Sequence, residues 1–390
     1  MIVGVVTHFN KSVNYGGVLQ AYALTKKLNN LGYEAEQICY DARCKNLDSS
    51  TAIEIKPLKK LTIRRILGAI KRKVKRLIFY KRIKTEQRII FEKQKCFRAW
   101  IRVNVKSSNL AYGPSNVCEC NNLYDAFITG SDQVWNYTWY DKNYFLDFAN
   151  NSKIKLSYAA SLGHNEIPNG IKEVYSKHLK SFNAVSVREQ NMVDLLKDVS
   201  PVNVEWVVDP VFLLDKNEWE SIALSQEKIN DKYIFCYFFG ENKKEREIVK
   251  EYARQKNLKI VLISDLIIEQ KVKLDESFAD IKLKNINPGE FLYLIKNAEY
   301  IFTDSFHATA FSLIFQKQFF VFNRYSNGGM SDRITSVTNL FNVSERFCAG
   351  INESLEYVNS LKDIDYNNNQ SEFKKLKEKS INYIQKSLGE

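Results

Sequence analysis

Histidine is scarce. The 390 residues hold four, His8, His164, His178 and His307, widely separated, and no His-Glu-x-x-His segment occurs. The seven cysteines are an odd number without framework spacing. Cys118 and Cys120 are too close for the usual half-site of a structural zinc, and no second half-site is evident. These counts point to a reducing compartment, the cytoplasm, and give metal chemistry little support. The chain has no Gly-x-Ser-x-Gly elbow, no dinucleotide-binding glycine spacing and no phosphate loop with its lysine. No run approaches the roughly 18 apolar residues needed to span a bilayer. The opening MIVGVVTHF is apolar but lacks a basic leader and a small-residue cleavage site, so it reads as a core strand.

What is present is enough hydrophobic content, 45%, for a sizeable core, with 26% charged residues. Lysine and arginine exceed acids by twelve, but the excess is local. Residues 56–98 carry seventeen Lys/Arg against Glu86 and Glu92. Leu61, Ile63, Ile66, Leu67, Ile70, Val74, Leu77 and Ile78 give this basic segment an apolar stripe, so it reads as a helical insertion. Two uses fit it: a solvated excursion packed on its own domain, or an interfacial element at an anionic membrane surface. No recognisable nucleic-acid-binding module accompanies it.

Elsewhere the pattern alternates strand and helix. Ile2–Thr7 is a strand, and Ala21, Leu24, Leu28 and Leu31 then share one helical face. Gly32 stands where a glycine ends a helix. Tyr33–Tyr40, Tyr124–Thr129, Lys155–Ser161, Ala184–Val187 and Val204–Val208 continue a first α/β set. Tyr233–Phe239, Lys259–Ile263, Tyr300–Thr303 and Phe319–Phe322 form a second. The predicted organisation is an N-terminal Rossmann-like domain over 1–205 with the basic excursion, a C-terminal one over 206–365, and a terminal helix over 366–390. Ligands of open α/β sheets bind beyond the carboxyl ends of the strands. Asn14, Ser131, Asp132, His164, Arg188, Asp209, Asp304 and His307 all follow apolar runs, which places a site in the cleft between the domains.

His307 follows a strand and precedes a helix, where free amides favour anions. It serves either as a proton carrier near neutral pH or as a loop histidine bonded to backbone. Asp304 and Ser305 compete to cap the following helix. Arg188 offers a rigid fork for phosphate or a salt bridge to a nearby acid. Arg333, in Gly328-Gly329-Met330-Ser331-Asp332-Arg333, is read as carried by a mobile glycine loop onto a bound anion, and Arg324 is a weaker third candidate. Asp132 either orients a sugar hydroxyl, acts as a base or caps a turn. Trp135, Trp139 and Tyr140 are sugar platforms or core. Asp209-Pro210 reads as fixing a strand end. The paired glycine in Asn14-Tyr15-Gly16-Gly17 raises the question of what approaches that backbone.

Six blocks in order, YGGVLQAYAL, FITGSDQVWN, LSYAASLG, VSVRE, VVDPVFLL and TDSFHATAFSLIF, resemble the polysaccharide pyruvyl transferase family over most of the chain, from about Asn14 to Arg333. The resemblance implies two Rossmann-like domains facing a cleft, similar to GT-B glycosyltransferases. It implies transfer of a pyruvyl group from phosphoenolpyruvate to two hydroxyls of a sugar as a cyclic ketal, in the biosynthesis of a surface polysaccharide such as a capsule or exopolysaccharide. That scheme needs no redox cofactor and no metal. The acceptor it suggests is a sugar, including a polyprenyl-diphosphate-linked oligosaccharide at the inner face of the cell membrane. By motif, His307 falls on the general acid/base, Arg188 on an arginine near the donor phosphate, and Asp132 on a cleft-facing block. Asn14, Tyr15, Gly16, Gly17, Ser131, Trp135, His164, Asp304, Ser305 and Arg333 fall on the substrate-binding blocks. Ala308 departs from a pattern in which glycine often follows the histidine. The competing readings are a GT-B glycosyltransferase using a nucleotide sugar and a non-catalytic glycan-binding protein.

Overall fold

The computed structural model describes residues 1–42, 88–225, 229, 231–264, 274–324, 330–367 and 370–389. Most of the basic segment, up to residue 87, lies outside the described residues. Its last part belongs to a helix that runs to residue 104.

The first sheet is parallel throughout. It joins β1 (Ile2–Val6), β2 (Glu34–Tyr40), β3 (Ser107–Tyr112), β4 (Ala126–Thr129) and β5 (Ile154–Ser157) in the order β3-β2-β1-β4-β5. Bridges from Leu156 to Ala184 and from Ala160 to Val187 carry it on to β6 (Val185–Val187) and β7 (Val204–Trp206). The second sheet, also parallel, joins β8 (Tyr233–Tyr237), β9 (Lys259–Ile263), β10 (Ile281–Leu283), β11 (Tyr300–Thr303), β12 (Gln318–Phe322) and β13 (Phe347–Cys348) in the order β10-β9-β8-β11-β12-β13. The central strands are buried on both faces, as near-continuous apolar runs such as IVGVV and YIFCY require. β3, β10 and β13 are edge or near-edge strands that the sequence pattern does not announce. In SSNLAY only Leu110, Ala111 and Tyr112 are apolar.

The helix Tyr15–Asn30 joins the halves. Asn14 caps it by accepting from the Gly16 and Gly17 amides, and Gly32, at φ 93°, follows its C-cap in the left-handed region. Twelve of its sixteen residues are buried, more than one sheet can cover, because its second face meets the C-terminal half. There Tyr15 stacks on Phe291 with ring centroids 4.4 Å apart, and Tyr22 and Phe311 both lie against Trp219. The last helix, Ser371–Leu388, returns to the N-terminal half. Tyr383 donates to the Ser157 carbonyl at 2.8 Å, and Ser380 Oγ accepts the Val208 amide at 3.0 Å.

Candidate active site

Five parallel strands deliver side chains to one end of the sheets: His8 after β1, Asp132 after β4, and Ser305 and His307 after β11 line a cleft there, while Arg188 after β6 and Asp209 after β7 stand behind its wall. The cleft encloses about 420 Å³. Its walls include His8, Asn14 and Asp132 from the first half, and His307, Arg324 and Arg333 from the second.

The paired glycine answers to the histidine across the cleft. A Cβ on Gly16 would lie 1.9 Å from His307 Nδ1, and one on Gly17 would lie 3.0 Å from the His8 carbonyl oxygen. Glycine is required at residue 16 because the His307 ring occupies the space a side chain would fill. The NYGG and DSFH segments, each at the start of a helix, thus build one site.

The Asp132 loop is tied down at both ends of Ser131 by two side chains that also bond each other. Gln20 Oε1 accepts the Ser131 amide at 3.0 Å, Gln20 Nε2 donates to Thr7 Oγ1 at 3.0 Å, and Thr7 donates to the Ser131 carbonyl at 2.8 Å. The Gly130–Ser131 peptide is cis, and Asp132 has φ 69°, a left-handed conformation that few non-glycine residues adopt. This loop points the Asp132 carboxylate at Arg188 Nη2, 3.6 Å away. Burial pushes the Asp132 carboxyl up, but the charges of Arg188, His307, Arg333 and His8 together outweigh it and hold the group below its ordinary value.

Arg188 is buried behind the cleft wall. Nη1 donates to Asp209 Oδ2 at 2.9 Å and Nε to Glu189 Oε1 at 3.1 Å, while its plane covers the Phe306 ring at 4.8 Å. Burial alone would lower its proton affinity, yet Glu189, Asp209 and Asp132 raise it above the ordinary value. Three carboxylates therefore already share this guanidinium. Arg188 thus holds Asp132 and Asp209, and among the described residues the arginines on the cleft wall are Arg324 and Arg333.

Asp209 carries more than a strand end. It accepts Val211 N–H at 3.1 Å through Oδ1, while Oδ2 takes Arg188 and lies 3.7 Å from His307 Nε2. His307 stands in the first turn of the helix Phe306–Ile314 and not in a loop. Burial lowers the proton affinity of its imidazole, Asp209 and Asp132 oppose that, and Arg188 and Arg333 reinforce it. The balance lies below the ordinary histidine value. Ser305 is the cap of that helix, accepting the Ala308 amide. Asp304 instead accepts the Phe239 and Gly240 amides and pairs with Arg324, so it braces the wall from behind.

Arg333 lies in the helix Met330–Leu340 and not in a glycine loop. Burial, then the Arg188 charge, bring its pKa down to about 10, with Glu189 and Asp132 only partly compensating and Arg324 adding to the lowering. It stays charged at neutral pH, in surroundings that favour an added anion.

Other expected site residues stand elsewhere. Tyr15 is buried between the halves, with its hydroxyl on the Ile286 carbonyl at 2.8 Å. Ser131 is fully buried and donates to the Ala159 carbonyl. Trp135 is core, stacked on Phe145 with its indole N–H on the Tyr144 carbonyl. His164 stacks on Tyr137 and bonds Asn136. The aromatic that does face the cleft from this segment is Trp139, 54% exposed. His8, Glu189 and Phe306 were not singled out from the sequence. Among the described residues no three His, Cys, Asp or Glu side chains are placed to hold a metal ion.

A family model described as polysaccharide pyruvyl transferase matches residues 14–327. No match was found among curated protein sequences. Among solved structures, the UDP-GlcNAc 2-epimerase of Methanocaldococcus jannaschii is similar at 12% identity and TM-score 0.54, covering 99% of this chain and 100% of that one. The Neisseria meningitidis UDP-GlcNAc 2-epimerase bound to UDP-GlcNAc gives 10% identity and TM-score 0.50, covering 99% and 94%. The Rickettsia bellii UDP-N-acetylglucosamine 2-epimerase also gives 10% and 0.50, covering 99% and 96%. At such identities the likeness shows the fold alone, two Rossmann-like halves about a cleft of the GT-B kind.

Proposed function

We propose, proceeding from the fact that this chain belongs to the polysaccharide pyruvyl transferase family, that it moves the pyruvyl group of phosphoenolpyruvate onto two hydroxyls of a sugar and closes a cyclic ketal. The family makes the protein a polysaccharide-modifying transferase; the donor and the ketal are the finer reading. The observation that carries it is that two arginines and a histidine line one cleft. Arg333, with its pKa brought down to about 10, and Arg324 suit a small ligand that carries both phosphate and carboxylate. The first turn of the helix Phe306–Ile314 adds its amide end. In this reading His307, packed against Gly16 on the same cleft, faces the donor's methylene carbon.

In this reading His307 protonates that carbon, and positive charge develops at the carbon bearing the phosphate. The Asp132 carboxylate, kept ionised by its surroundings, stabilises that charge. A sugar hydroxyl attacks, and a second displaces phosphate. The exposed face of Trp139 offers an apolar platform for the sugar ring. Arg188 is a positioning residue that fixes Asp132 and Asp209.

The test is calorimetric titration with phosphoenolpyruvate and, separately, with UDP-N-acetylglucosamine, followed by mass spectrometry of methyl hexopyranosides incubated with enzyme and phosphoenolpyruvate. Binding of phosphoenolpyruvate and a pyruvyl ketal increment on a hexoside support the reading. Binding of the nucleotide sugar alone would replace it with glycosyl transfer.

A further inference from the structure

The four histidines sort into two pairs. His178 is fully used by its neighbours, with Asp147 on Nδ1 at 2.7 Å and Tyr140 on Nε2 at 2.6 Å. His164 has Asn136 on Nε2 at 3.1 Å. His8 and His307 differ from both. Each has an Nε2 shielded from water that meets no hydrogen-bond partner among the described residues, and each lines the cleft. Leaving a buried polar atom idle costs about 1–3 kcal/mol, and such an atom calls for an explanation. For His307 the proton-transfer role supplies one. His8 has the same signature on the opposite half of the molecule.

The position of His8 is built. It follows β1 by two residues, its carbonyl oxygen lies against Gly17, and its ring leans on Tyr144 with centroids 4.3 Å apart. The groups that act on it are the carboxylates of Asp132 and Asp141 and the backbone of Gln133. Burial lowers its proton affinity more than these raise it. Asp132 is the shared counter-charge, since its carboxylate feels both His307 and His8. His8 lies ahead of the span matched by the family model, which begins at residue 14.

We infer that His8 is a second proton-transfer residue, working from the N-terminal half opposite His307. The inference rests on the pyruvyl-transfer reading and completes its proton balance. His307, protonated once the donor's negative charge favours the imidazolium, gives its proton to the methylene carbon; the carbon–carbon π pair forms the new C–H bond. The first sugar hydroxyl bonds to the adjacent carbon while its proton passes to His8 Nε2. The bond from that carbon to the phosphate oxygen then breaks, with the electron pair leaving on oxygen, and His8 returns its proton to the departing phosphate. The second hydroxyl closes the ketal and gives its proton to His307. Both imidazoles end as they began, and the products are the ketal and hydrogen phosphate.

Wild type, His8→Gln and His8→Ala are compared with phosphoenolpyruvate as donor and a panel of methyl hexopyranosides as acceptors. Donor affinity is read by calorimetry and phosphate release from about pH 5.5 to about pH 9. H8Q should bind the donor within about threefold of wild type, release phosphate roughly 10²–10³-fold more slowly and lose one limb of the pH profile. Added imidazole should restore part of the rate of H8A. Unchanged turnover and pH profile in H8Q overturn the inference. So does a rate loss accompanied by lost donor affinity and a lowered melting temperature, with no rescue by imidazole, because that pattern marks a purely structural residue. A wild type that neither binds phosphoenolpyruvate nor releases phosphate from it overturns the pyruvyl-transfer reading itself, and this role with it.

Discussion

Gly16→Ala adds one methyl group and tests the joint between the two halves. The new Cβ would lie 1.9 Å from His307 Nδ1 and 2.4 Å from both Cε1 and Cγ. Ordinary contact needs about 3.5 Å, so the ring must retreat by roughly 1.5 Å or the helices must part. Alanine in place of helical glycine gains at most about 1 kcal/mol. Overpacking a closed contact costs about 1–3 kcal/mol, so the clash prevails and G16A should melt below wild type. Misplacing a reacting group by about 1 Å can cost about 10²-fold in rate, so phosphate release should fall by at least that factor. Gly170→Ala is the control. Its Cβ meets nothing within 4 Å, and its melting temperature should match or slightly exceed wild type. The double variant G16A/H307A removes the ring that the methyl strikes, so its stability should exceed the sum of the single losses by about 0.5–3 kcal/mol. Wild-type turnover in G16A, or strict additivity in the double variant, would refute the packing argument and the placement of His307.

Arg188→Lys keeps a charge but loses the fork shared among Asp209, Glu189 and Asp132. Breaking such a buried arrangement costs about 3–5 kcal/mol, so R188K should show a lowered denaturation midpoint together with lost turnover; a fully stable R188K would exclude the positioning role. Glu245 is buried, and burial followed by the Asp304 and Glu353 charges raises its pKa to about 8. A raised folded-state value contributes stability below the ordinary value near 4.5 and loses it as pH rises through about 8. Melting curves at about pH 5 and about pH 8.5 should therefore show wild type losing stability relative to Glu245→Gln at the higher pH; parallel curves would contradict the shift. The basic segment supplies the last prediction: the protein should sediment with anionic liposomes at low salt and release as salt rises, and a wild type that stays in the supernatant at low salt excludes a membrane anchor.

The sequence made the strand-to-loop transitions legible because chemistry and hydropathy change together there. The glycine pair, Asp132 and His307 all lie at such transitions, and the structure places them around one cleft. It did not reveal which way an aromatic turns. Trp135 and Trp139 are four residues apart in one segment, yet one is core and the other faces the cleft, because a turn and a single short helical turn, and no regular strand or helix, lie between them. Asp209 read as a strand terminator because its partners, Arg188 and His307, lie 21 and 98 positions away. The paired glycines of GGMSDRI suggested a loop for Arg333, which belongs to the helix Met330–Leu340. Short edge strands escaped notice because an edge needs little apolar surface.

The return of the helix Ser371–Leu388 to the N-terminal half has a mechanical consequence. The chain passes between the halves twice, once between Asp209 and Tyr233 and again between Cys348 and Ser371, and the second passage is anchored where Tyr383 and Ser380 bond to Ser157 and Val208. Two crossings tie the halves at separate places, and one buried core continues across the joint between them. The contact of the His307 ring with the Gly16 backbone is therefore held in register by chain connectivity as well as by packing.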